Sequence, residues 1–180
     1  MPFLSVNGKE LFTTHVRSTE AQGNKGVTVL CIHGLGSAHS FYSPLVPGLT
    51  ASGYDVVAYD TYGSSPDYSS FFPPLAHRHY YLGSGQSKFK GGEQNVQSMA
   101  ADVEALMQKL GLDSSRTILV GHSMGGMVAC EVASRRELLG VVLLGPVHPA
   151  PGMGAVFAQR IENVMNSKVS CRSLVGSLDS

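Results

Sequence analysis

The chain has 180 residues, 43% of them hydrophobic and 14% charged, which suits one soluble globular domain with a buried core and excludes a disordered chain. Thirteen Lys and Arg residues offset thirteen Asp and Glu, so no general attraction to nucleic acid or to an anionic membrane is expected, and a small molecule is the fitting partner. Three cysteines without framework spacing, Cys31 in a strand and Cys130 on a helix among them, read as buried thiols in a reducing compartment. No apolar run approaches the ~20 residues of a membrane span, and the start of the chain lacks a basic region, so the cytosol is the expected location.

Phe3 to Val6 and Leu11 to Val16 flank Asn7-Gly8, a strong turn signal, and predict an opening antiparallel hairpin. From Val27 the pattern changes. Strand-like runs at Val27 to Ile32, Tyr54 to Tyr59, Thr117 to Val120 and Val141 to Leu144 alternate with helical segments, the pattern of a mostly parallel sheet flanked by helices. The clearest helix carries Val96, Met99, Ala100, Val103, Leu106, Met107 and Leu110 on one stripe and stops at Gly111. After Ser123, the residues Met127, Val128, Cys130, Val132 and Ala133 read as a largely buried helix.

Gly121-His122-Ser123-Met124-Gly125 lies between the Thr117 strand and that helix. Passing from strand to helix within one residue strains the central position, and side chains two places to either side would strike the neighbouring backbone. A Gly-x-Ser-x-Gly run in that context presents Ser123 as a nucleophile at a helix N-terminus. The strand ending at Ile32 runs into His33-Gly34-Leu35-Gly36, where bare backbone can approach a substrate oxygen. Acyl transfer passes through a tetrahedral oxyanion, and the N–H groups of Leu35 and Met124 are the expected donors to it.

With the Asp60-Thr61-Tyr62-Gly63 turn, these motifs resemble those of the α/β-hydrolase superfamily, in particular its lactonase and esterase branch that includes 3-oxoadipate enol-lactone hydrolases. The likeness covers about Pro2 to Pro149. It implies an α/β fold, hydrolysis of a carboxylic ester or lactone through a Ser123 acyl-enzyme, a small-molecule substrate, and no metal or organic cofactor. His33 and Gly34 then lie in the substrate-facing loop, the His33 ring bracing it rather than moving protons, and Asp60 is a turn-forming residue beside the site. His148 leaves the carboxyl end of a strand next to the nucleophile strand, where ligands bind in open α/β sheets, and is a second substrate-facing candidate.

The resemblance also marks departures. Residues 64–83 have neither helical nor strand periodicity, and removing them joins Asp60-Thr61-Tyr62-Gly63 to Ser84-Gly85-Gln86-Ser87, the turn expected at this place. They read as an insertion, such as a translated intron, with a substrate-covering lid as the functional alternative. Residues 1–149 then form the hydrolase core, incomplete at its carboxyl-terminal end, and 150–180 the start of a cap followed by an atypical tail. The family runs Ser, then Asp or Glu, then His, yet no histidine follows His148. Asp179 only faintly resembles the acid turn, and His77 with His79 lacks a third convergent ligand for a metal. His122 reads as packing, pointing away from the Ser123 hydroxyl, and His15 and His39 as surface or packing residues. A catalytically incomplete hydrolase-like protein, either a non-catalytic binding module or a truncated gene product, is therefore the alternative function.

Overall fold

Asn7 and Gly8 both take positive φ, 50° and 75°, the requirement of the tight turn that joins β1 (Phe3–Val6) to β2 (Lys9–Val16). Val6 pairs with Lys9 and Phe3 with Phe12 across this hairpin. The computed structural model describes residues 2–18, 23–62, 85–88, 90, 94–147 and 151–152. Beyond the hairpin come β3 (Thr28–Ile32), α1 (Val46–Ala51), β4 (Asp55–Tyr59), α2 (Val96–Leu110), β5 (Thr117–His122), α3 (Met124–Ala133) and β6 (Gly140–Leu144). They form one sheet in the order β1-β2-β4-β3-β5-β6, with the last four strands parallel to one another, β2 antiparallel to β4 and β1 antiparallel to β2.

Side chains alternate across a strand, so β3, β4 and β5 feed two cores. Leu30, Ile32, Val57, Tyr59 and Leu119 meet α2 and α3 on one face, whereas Val29, Cys31, Val56, Ala58 and Val120 meet Tyr42 and α1 on the other. Being covered on both faces is why these strands read as continuous apolar runs. Asn95 caps α2 by accepting from the Ser98 N–H, and Gly111, at φ 66°, ends it. Asp102 is buried on that helix, where it accepts from Lys9 Nζ at 2.6 Å and Asn7 Nδ2 at 3.0 Å, tying the hairpin turn to α2.

α3 is less buried than its composition suggests. Gly125, Val128, Ala129 and Val132, at helical spacing, form the inner stripe, which leaves Cys130 and Ala133 outside. The expectation of a buried thiol holds for Cys31 and is corrected for Cys130, which is exposed. Burial raises the Cys31 thiol pKa to about 12, keeping it protonated and inert. No helix among the described residues is long and apolar enough to cross a membrane.

Candidate active site

Two neighbouring strands release the chain in opposite directions. From β3 it turns to α1 on one face of the sheet, and from β5 to α3 on the other, so a crevice opens above the paired β3 and β5 at their carboxyl ends. Ser123 occupies that crevice as the residue between β5 and α3, with φ 53° and ψ −117°. This is a costly conformation for a side-chain-bearing residue, and it is held by a hydrogen bond from the Ser123 N–H to the Leu144 carbonyl at 3.0 Å. The two flanking glycines are sterically required. A Cβ on Gly121 would overlap the Gly125 carbonyl oxygen, and one on Gly125 would overlap that of Ile32.

The loop after β3 lies directly on this elbow. A Cβ on Gly34 would stand 3.0 Å from the Ser123 Cβ and 2.9 Å from His122 Nδ1. Ser37 N–H donates to the Gly34 carbonyl at 3.2 Å, closing a turn with Gly36 at φ 71°. His33 is buried beneath it at 1% exposure. Its Nδ1–H donates to the Gly34 carbonyl at 2.8 Å and its Nε2 accepts from the Thr61 N–H at 3.0 Å. Burial chiefly lowers the His33 pKa, with the Gly34 hydrogen bond and Asp60 opposing it, so the ring is neutral at pH 7. Both ring nitrogens are thus engaged within the loop and its neighbour, an arrangement that suits a brace.

Asp60 is fully buried at the end of β4. Its Oδ1 accepts from the His39 N–H at 2.7 Å and from His39 Nδ1–H at 2.8 Å, and its Oδ2 accepts from the Gln86 N–H at 2.6 Å. Ser87 Oγ donates to the Asp60 carbonyl at 2.7 Å and accepts from Phe12 N–H at 2.9 Å. Asp60 is thus a structural clamp, and it brings the two flanks of residues 63–84 together. The His39 and Asp60 pair has the form of half a triad, yet β3 separates β4 from β5, a spacing of about 10 Å. His39 also packs on Phe12 of β2, farther still from Ser123.

His122 stacks on Phe41, centroids 4.3 Å apart at 22°, as packing rather than proton transfer requires. His15 lies on β2 with Nε2 at 3.9 Å from Asp55. Among the described residues no imidazole is thereby committed to the Ser123 hydroxyl. His77, His79, His148 and Asp179 lie outside the described residues. Tyr42 had no sequence signal beyond its aromatic neighbour, yet its buried hydroxyl donates to the Ile32 carbonyl at 2.9 Å, with the Val120 carbonyl 3.3 Å away. Burial pushes its phenol pKa up, so it remains a donor under the crevice. Leu35 at 66%, Phe41 at 45% and Leu45 at 47% exposure leave an apolar rim on this side.

The model of the alpha/beta hydrolase fold family matches residues 27–164, most of the chain. The chain belongs to that family. The relative "Putative carbamate hydrolase RutD" of Stutzerimonas stutzeri (strain A1501) is 28% identical over 144 residues, covering 78% of this chain and 46% of the relative. Among solved hydrolase folds, an esterase (EaEST) from Exiguobacterium antarcticum superposes with a TM-score of 0.66 at 18% identity, over 91% of this chain and 56% of that one. Est816, described as an N-acyl homoserine lactone degrading enzyme, gives a TM-score of 0.65 at 18% identity, over 98% and 61% respectively. The chain thus spans about half the length of the relatives it matches.

Proposed function

We propose that this chain carries the nucleophile half of a serine hydrolase of carboxylic esters or lactones. The observation that carries the reading is Ser123 at φ 53° with the Gly34 loop packed against its Cβ. Ser123 Oγ bonds to the substrate carbonyl carbon, and the negative charge passes to the carbonyl oxygen between the N–H groups of Leu35 and Met124. The C–O bond to the leaving alcohol then breaks, the serine proton ending on the departing oxygen through solvent or a base, and water hydrolyses the acyl-enzyme. The apolar rim of Leu35, Phe41 and Leu45 suits an uncharged ester or lactone. A cytosolic setting suits Cys31, a buried thiol without a disulfide.

A second reading is a binding module without turnover, favoured by the hydrogen bonding of His33 and His39 to other partners and by the stacking of the His122 ring on Phe41. The test is labelling with a fluorophosphonate followed by peptide mass spectrometry. Slow labelling at Ser123 is expected, because sites lacking a base retain about 10³–10⁴-fold advantage over water. Reaction at another serine, with Ser123→Ala fully reactive, overturns the nucleophile assignment. Labelling of Ser123 without any release of p-nitrophenol from p-nitrophenyl acetate supports the second reading.

A further inference from the structure

The peptide that joins Gly34 to Leu35 is one rigid unit with two functions at its ends. A trans peptide holds its C=O and N–H pointing in opposite directions, and no peptide among the described residues is cis. Fixing the Gly34 carbonyl therefore fixes the Leu35 N–H. Two donors hold that carbonyl, His33 Nδ1–H at 2.8 Å and Ser37 N–H at 3.2 Å. We infer that His33 is a positioning residue for oxyanion stabilisation, aiming the Leu35 N–H by anchoring the opposite end of the same peptide. This rests on the reading of Leu35 as an oxyanion donor.

The arrangement specifies one tautomer. The Gly34 carbonyl can only accept and the Thr61 N–H can only donate, so Nδ1 carries the proton and Nε2 presents its lone pair. The Thr61 hydroxyl, 3.3 Å from Nε2, is compatible with the same assignment. Thr61 follows Asp60, whose carboxylate is locked by His39 and Gln86, so the anchor of the ring belongs to the clamp described above. A ring that only filled space would need neither the tautomer nor the direction.

Two measurements test this on the 180-residue chain. Side-chain 15N NMR of His33 reports the tautomer independently of reactivity, and the Nδ1–H form is expected, whereas the Nε2–H form overturns the inference. Fluorophosphonate labelling of Ser123 is then resolved into reagent affinity and the first-order rate at saturation. His33→Ala should lower the saturating rate by about 10-fold or more, short of the 10²–10³ of losing a donor outright, with affinity nearly unchanged. His33→Asn, whose amide can donate from a similar position, should recover part of that loss. If His33→Ala does not fold, His33→Asn and the tautomer decide. Wild-type rates in the variants overturn this inference alone. A wild-type chain unlabelled at Ser123 overturns the nucleophile reading and this inference with it.

Discussion

A Cβ on Gly125 would stand 2.7 Å from the carbonyl carbon of Ile32, so the first turn of α3 rests on the end of β3 with no room for a methyl group. The contact joins the elbow to the strand that feeds the Gly34 loop, and both partners are backbone, which cannot rotate away. Gly125→Ala should therefore destabilise the chain by about 3 kcal/mol, read as a lower urea midpoint. Gly140→Ala on β6 is the control, since nothing lies within 4 Å of its Cβ position, and a shift within about 0.5 kcal/mol is expected. Equal midpoints for the two variants would show that the approach of α3 to β3 is looser than described.

Asp60 holds three donors from two separate stretches of chain, the His39 N–H, the His39 ring and the Gln86 N–H. Replacing it with Ala strands those donors in a buried place, and a loss of about 2–4 kcal/mol is expected in chemical denaturation. Because Gln86 and Ser87 already return to Asp60, deletion of residues 64–83 should leave the fold intact and no less stable. The shorter connection should even add up to about 2 kcal/mol by lowering the entropy of loop closure. A deletion variant that fails to fold would mean that these residues belong to the core rather than to an insertion.

The legible parts of this molecule are those where one local constraint decides the structure. β3, β4 and β5 announce themselves because burial on both faces leaves their interiors apolar, and the elbow because only glycine fits two places to either side of Ser123. α1 does not, since Val-Pro-Gly-Leu-Thr-Ala is too short and too rich in breakers to display a period. Long-range polar partnerships are equally silent. The clamp at Asp60 depends on residues that fold back from positions 39 and 86, and Asp102 is buried because Asn7 and Lys9 reach it. Cys130 was misplaced by composition, because an apolar helix that lies on a sheet buries only its inner stripe.

The chain should lose stability in mild acid before its carboxylates titrate. Burial is the largest cause lowering the pKa of both His33 and His15, with Arg17 adding to the effect at His15 and Asp55 opposing it. The unfolded chain binds protons at both rings once pH falls below about 6.5, while the folded chain resists until the lower folded values are reached. Their contribution is thus complete above the ordinary histidine range and is lost as pH falls through the depressed values. For His33, the slope in this window approaches about 1.4 kcal/mol per pH unit. Urea midpoints from pH 8 to 5 should fall, and His33→Asn should flatten the decline. A midpoint independent of pH across that range would mean that the folded chain takes up protons at His33 and His15 as readily as the unfolded one.

β6 determines how the isolated chain behaves in solution. It pairs only with β5, at the end of the strand order, so its outer row of N–H and C=O groups has no strand partner among the described residues. Its sequence is Gly-Val-Val-Leu-Leu, and Val142 is 45% and Leu143 40% exposed, with Leu139 just before it at 52%. The opposite edge is better protected, because β1 is short and the Lys9 and Asp102 pair ties the hairpin that carries it to α2. An apolar strand edge without charge invites pairing with another chain, and a lysine on it is the usual deterrent. Size-exclusion chromatography with light scattering should find the 180-residue chain associating at micromolar concentration. Val142→Lys should shift it toward monomer with little change in the urea midpoint extrapolated to low protein concentration. A sharp monomer peak for the unaltered chain would mean that the β6 edge is covered by the chain itself.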